Sequence, residues 1–137
     1  MRNDSPTPLD EALDAARQDP EKSGIFYNLF LNTDLFLPVR PPDPGDAADV
    51  VNLHIVQDGD GLFLPAFDTL KRLQVWAKGP TANVRVRCHI LLQSLGKEYQ
   101  MVLNAGTGKA RGFGTEELEW LRGIVDEALP KPDPGGS

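Results

Sequence analysis

Leu64-Pro65-Ala66-Phe67-Asp68-Thr69 runs directly into Leu70-Lys71-Arg72-Leu73-Gln74-Val75-Trp76, and this join decides the fold. The first part reads as the end of a strand, closing on two residue types that cap helices. The second reads as a short helix. Asp68 is expected to cap the helix Thr69–Trp76, and Gly79-Pro80 to close it. Upstream, Asp58-Gly59-Asp60-Gly61 is a hairpin turn and Leu62–Phe67 its returning strand. The outgoing strand carries Val51, Leu53 and Ile55 at a period of two. A strand that returns and hands over to a helix points to an α+β domain.

Further towards the N-terminus, Thr7 is an expected helix cap, with Pro8 where a missing N–H costs nothing. Leu9, Ala12, Leu13 and Ala16 then form one apolar stripe. Asp19-Pro20-Glu21 repeats the cap signal and opens a second helix with Ile25, Phe26, Leu29 and Phe30, broken at Asn32-Thr33. Leu35, Leu37 and Val39 alternate with Phe36, Pro38 and Arg40, which suits a strand near a sheet edge. Residues 41–49 read as a turn-rich loop.

On the C-terminal side, Val84, Val86 and Cys88 alternate with Arg85 and Arg87. Ile90, Leu91, Leu92 and Leu95 suggest a buried helix ending at Gly96. Tyr99, Met101 and Leu103 share a strand face, and Gly106 and Gly108 make the next loop. Thr115 caps a last helix, with Glu116 and Glu117 in the first turn, where carboxylates suit the helix dipole. Leu118, Leu121, Val125 and Ala128 line its core face, and Pro130 ends it. The expectation is one domain over 1–137, with a folded core of 9–129 and a flexible tail at 130–137. It should hold a mixed or antiparallel sheet of about five strands with helices mainly on one face.

The 137 residues carry a net charge of −6, unevenly placed. Residues 1–68 hold 13 Asp and Glu against 4 Lys and Arg, whereas the remainder holds 7 against 10. An acidic total opposes nucleic-acid binding, since phosphate contacts demand dense positive charge. No apolar run approaches the roughly 18 residues that span a bilayer, and the first residues lack the apolar core of a signal peptide. One cysteine excludes an intrachain disulfide, and the expected compartment is the cytoplasm.

The motifs that invite a chemical reading fail on spacing. In Asn104-Ala-Gly-Thr-Gly-Lys109, Gly106 stands two positions before Gly108, and Ala110 replaces the hydroxyl a phosphate loop needs. Asp58-Gly-Asp-Gly61 is followed by Leu62 and Phe63, which offer a calcium ion no oxygen. Read as strand neighbours, Cys88 and His89 point to opposite faces and cannot act as nucleophile and base. His54 shares a strand face with Asn52 and is expected at solvent. The two histidines and one cysteine contain no close-spaced zinc pair. No catalytic residue, cofactor site or metal site is assigned.

Two features suit binding instead. Arg85 and Arg87 share a strand face, and Lys71, Arg72 and Lys78 lie nearby in sequence, so a basic patch could receive a carboxylate or an acidic partner. Trp76 and Trp120 are possible interface anchors, although core packing is the simpler reading of both.

Phe26-Tyr-Asn-Leu-Phe-Leu-Asn-Thr-Asp-Leu-Phe-Leu-Pro38, Leu64–Thr69 with Trp76, Met101-Val-Leu-Asn-Ala-Gly106 and Gly114-Thr-Glu-Glu-Leu-Glu-Trp-Leu121 occur in that order. In this the chain resembles the N-terminal domain of the SseB family, bacterial proteins linked to enhanced serine sensitivity, over roughly residues 9–129. The family often has Asn-Pro-Gly where this chain has Asn104-Ala105-Gly106, so the turn there is expected to differ. Members can carry a second, C-terminal domain, and no contribution from one is expected here. The resemblance implies an α+β domain with no assigned chemistry. A type III secretion translocon component shares the SseB name, but short acidic helices and no spanning segment argue against that role. The leading expectation is a non-enzymatic cytoplasmic binding or regulatory module whose partner is a protein or small metabolite. The alternatives are a binder of serine or a related amino acid, clamped by Arg85 and Arg87, and an enzyme with an unrecognised site. Exposed sheet edges make a homodimer an expected possibility.

Overall fold

The computed structural model describes residues 6–40, 52–107 and 109–128. Helix α1 (Pro8–Gln18) starts as the sequence dictates. The Thr7 Oγ1 accepts the Asp10 N–H at 3.1 Å, and the Asp10 carboxylate accepts the Thr7 N–H at 3.0 Å, a reciprocal capping box. Asp19 does not open the second helix directly. Its carboxylate caps a 3₁₀ turn, Pro20–Lys22, and α2 (Ser23–Leu31) follows.

The strands are β1 (Asp34–Arg40), β2 (Asn52–Leu53), β3 (Val56–Asp58), β4 (Gly61–Ala66), β5 (Asn83–Arg87), β6 (Tyr99–Leu103) and β7 (Arg111–Phe113). They form two ladders, β2-β1-β5 and β3-β4-β6-β7. All pairings are antiparallel except β4 with β6, where Leu64 stands beside Met101. The ladders are stitched together where Phe36 and Phe67 exchange N–H···O bonds of 2.7 and 3.0 Å. The His54 N–H adds a bond to the Pro38 carbonyl.

The strand count exceeds the expected five for two reasons. The run through Val56 changes partner after Leu53 and so splits into β2 and β3. The three-residue β7 contains Gly112 and is too short to show a period. β1 also is not at an edge but lies between β2 and β5. Pro38 stands opposite His54 in the β1–β2 register: its carbonyl accepts the His54 N–H, it has no N–H to return, and β2 ends at Leu53.

Between the strands lie α3 (Leu70–Ala77) and α4 (Cys88–Ser94), and α5 (Thr115–Ala128) closes the described chain. Thr69, not Asp68, caps α3 by accepting the Arg72 N–H, and Asp68 is spent elsewhere. Lys78 ends α3 at φ 65°, which turns the Gly79 N–H back onto the Gln74 carbonyl. Cys88 does not extend β5 but begins α4.

The core lies on one side of the sheet. Leu64, Ala66, Met101, Leu103 and Phe113 face Leu9 and Leu13 of α1, Phe26 and Phe30 of α2, Leu91 and Leu92 of α4, and Leu118 and Leu121 of α5. The Phe30 and Phe113 rings stack at 4.6 Å. The 41–49 loop, the 130–137 tail, Val51, Gly108 and the side chain of Ala128 fall outside the described residues.

Candidate interaction surface

Register decides what the other side of the sheet presents. Paired residues share a face, so Val56 goes with Phe63, Asp58 with Gly61, Phe63 with Gln100, Pro65 with Val102, and Val102 with Gly112. Of these only Pro65 is buried. α3 covers only the end of this face, where Trp76 lies 5.6 Å from the buried Phe67 ring. What remains is a groove of about 200 Å³. Phe63, Pro65 and Val102 form its floor, Trp76 and Ala105 one wall, and Val56 and Asp58 the other.

The groove depends on glycines at two points. A Cβ on Gly61 would stand 2.7 Å from the Phe63 ring and 2.9 Å from Gln100 Nε2, so its absence lets the Phe63 ring fold across. Gly106, at φ 80°, turns the chain behind Trp76. Trp76 is also held by His54, whose ring meets it edge-on at 5.6 Å. The expectation that His54 simply faces solvent is thereby corrected.

A buried ionic cluster fixes the groove's supports. Arg72 on α3 donates to Asp10 Oδ1 at 2.9 Å and Oδ2 at 2.5 Å, and to Asp68 Oδ1 at 2.9 Å. The Thr7 hydroxyl donates to the other Asp68 oxygen at 2.5 Å. The Asp68 N–H reaches Asn104 Oδ1 at 3.1 Å, and Asn104 sits at φ 56°. This cluster ties α1, α3 and the β6–β7 turn together, and with them the Trp76 and Ala105 wall. Burial alone would push the Asp10 carboxyl up, but the Arg72 guanidinium and the Thr7 N–H outweigh it and hold the group below the usual range.

The residues singled out in the sequence do not converge. Arg85 and Arg87 share a face, as expected, but both meet Asp34, at 3.7 and 2.5 Å. They form an exposed ionic group rather than a bare basic patch. Arg72 is 1% exposed and leaves that patch altogether. Lys71 is exposed on α3, and no described contact joins it to Arg85 or Arg87. Trp76 does line a hollow, with different neighbours. Trp120 is not core: it is 54% exposed and meets Tyr27 edge-on at 5.1 Å.

Cys88 and His89 lie consecutively in α4, not in a strand, and Cys88 is fully buried. Burial pushes its thiol far up, so the thiolate needed of a nucleophile is disfavoured. Among the described residues no group of three His, Cys, Asp or Glu side chains is placed to hold a metal ion. A second hollow of about 340 Å³, with Arg40, Leu53, Leu91, Ser94 and Tyr99 among its walls, opens between β2, α4 and β6. No helix among the described residues is long and apolar enough to cross a membrane.

Fold and surface together define an α+β domain with α1, α2, α4 and α5 on one face of a mixed sheet, and α3 beside an apolar groove on the other. The family model of the SseB protein N-terminal domain matches residues 9–120, and the chain belongs to that family. No curated protein and no solved structure gives a significant match.

Proposed function

We propose that this domain is a cytoplasmic binding module that docks a segment of another protein in the groove between α3 and the open sheet face. The supporting observation is the apolar floor of Phe63 and Val102, both partly exposed over a buried Pro65, beside an anchored tryptophan. Aromatic side chains held in place at the edge of a groove provide contact area at little entropic cost. The amino-acid reading has weaker support, because Asp34 already engages both arginines of its clamp.

The test is selection of random linear segments, displayed on phage, against the intact chain, followed by measurement with the Val102→Glu variant. A carboxylate on the apolar floor should weaken the selected segments at least about tenfold, with circular dichroism unchanged. Selected segments that bind this variant as well as the parent, or no selected segment at all, would defeat the reading.

A further inference from the structure

We infer that the hollow between β2, α4 and β6 is a site of its own, separate from the docking groove, and that it binds a small organic acid through its carboxylate and its hydrocarbon body.

The walls are apolar and fixed in place. Leu53 and Ile55 reach the hollow from β2 and the link to β3, and Leu91 and Leu95 from α4 and its end. Leu91 is buried, but Leu53, Ile55 and Leu95 are only partly so, although they pack against the core. Apolar surface is thus left uncovered inside a concavity, where a hydrocarbon body is favoured. The α4 wall needs no ligand to form it. Arg122 holds the carbonyls of Leu92, Leu95 and Gly96, and the Gly96 carbonyl also accepts the Tyr99 N–H at 3.3 Å. Those carbonyls are therefore neutralised and do not oppose an anion. The hollow, about 340 Å³, falls at the lower end of the size of small-ligand sites.

The polar groups set the sign of the ligand's charge. Arg40, Ser94 and Tyr99 supply the polar side chains of the walls. Among the described residues Arg40 forms no ion pair and the Tyr99 hydroxyl no hydrogen bond. Every other described arginine is engaged: Arg17 by the Ala110 carbonyl, Arg72 by Asp10 and Asp68, Arg85 and Arg87 by Asp34, Arg111 by Glu117, and Arg122 by α4. A free guanidinium takes a carboxylate in two parallel bonds. No described Asp or Glu lines the hollow, so an ammonium on the same ligand finds no counter-charge there. The ligand is therefore an alkanoic or arylalkanoic acid without an amino group, of about six to ten carbons. Glu98 is the opposing charge, since its carboxylate sits where a Cβ on Gly96 would fall.

The probe is octanoate, titrated into the intact chain below its micelle concentration and followed by methyl NMR. Saturable shifts are expected at Ile55, Leu91 and Leu95, with the Val102 methyls of the docking groove unmoved. Octan-1-ol lacks the charge and 2-aminooctanoate adds an ammonium, and each should bind about tenfold more weakly or worse. Arg40→Met should lose as much and Arg40→Lys less, with circular dichroism unchanged in both. Glu98→Gln should bind octanoate more tightly, a gain that a misfolded variant cannot produce. Absence of saturable binding, shifts at Val102 without shifts at Ile55, or octan-1-ol binding as tightly as octanoate overturns the inference. Equal binding of 2-aminooctanoate overturns the ligand class. None of these outcomes bears on the docking groove, which Val102→Glu tests.

Discussion

Arg72 shows how a charged residue can be a core residue. It lies between Asp10 and Asp68, which come from different elements, and all three side chains are almost wholly out of water. Replacing Arg72 by methionine leaves two buried carboxylates facing each other. The expected cost is about 3–5 kcal/mol by chemical denaturation. Acid should act on the same cluster. Native Asp10 titrates below its ordinary value, so below about pH 4 the unfolded chain binds more protons than the folded one. Stability is therefore fully present above that pH and falls as pH drops through the native value. Denaturant midpoints should be flat down to about pH 5, then decline, with a shallower decline in Arg72→Met. From the sequence alone Arg72 groups with Lys71 and Lys78 in a basic patch with Arg85 and Arg87. The contrary signal was present: Thr69, Arg72, Leu73 and Trp76 fall at i, i+3, i+4 and i+7, which puts the arginine inside the apolar stripe. Its acidic partners were not legible, since they lie 4 and 62 positions away.

Two elements are completed by arginines from elsewhere in the chain. α4 has no glycine cap, and Arg122 of α5 supplies one. Its Nε donates to the Leu92 carbonyl at 2.7 Å, and its Nη2 to Leu95 at 3.0 Å. Arg122→Ala should cost about 2 kcal/mol and raise amide exchange in α4 before other helices. β7 is held by Arg111, which forms a bidentate pair with Glu117 at 2.7 and 2.8 Å. The Tyr27 hydroxyl donates to the same carboxylate at 2.6 Å, and the guanidinium lies 4.3 Å from the Phe113 ring centroid. Arg111→Ala should cost about 2 kcal/mol and bare the Gly112 carbonyl, so light scattering should detect added association at the β7 edge. Element types were largely legible because helical stripes and strand alternation are local. β7 was not, because three residues carry no period. The groove was not legible either, because it is a product of register, which pairs Pro65 with Val102 across 36 intervening positions.

At the scale of the molecule, Cys88 is a reporter built into the core. It is the chain's one cysteine, fully buried, with its thiol held protonated by burial. It packs in the cluster that joins α1, α2, α4, α5 and both ladders. A thiol reagent should therefore react with the native protein only as fast as the whole domain opens, and its rate should rise in step with Arg72→Met destabilisation. Reaction at the rate of a free thiol under native conditions would contradict this packing.

The long-range contacts of the first helices also bear on biosynthesis. Thr7 bonds Asp68, Asp10 bonds Arg72, Arg17 bonds the carbonyl of Ala110, and Tyr27 bonds Glu117. Every one joins an early residue to one translated much later. α1 and α2 leave the ribosome before α3, β7 and α5, to which these bonds tie them. Their apolar faces, Leu9 and Leu13 above all, cannot be fully buried until β6, β7 and α5 have been translated. For this domain, the interval before α5 emerges is when a chaperone has most to hold.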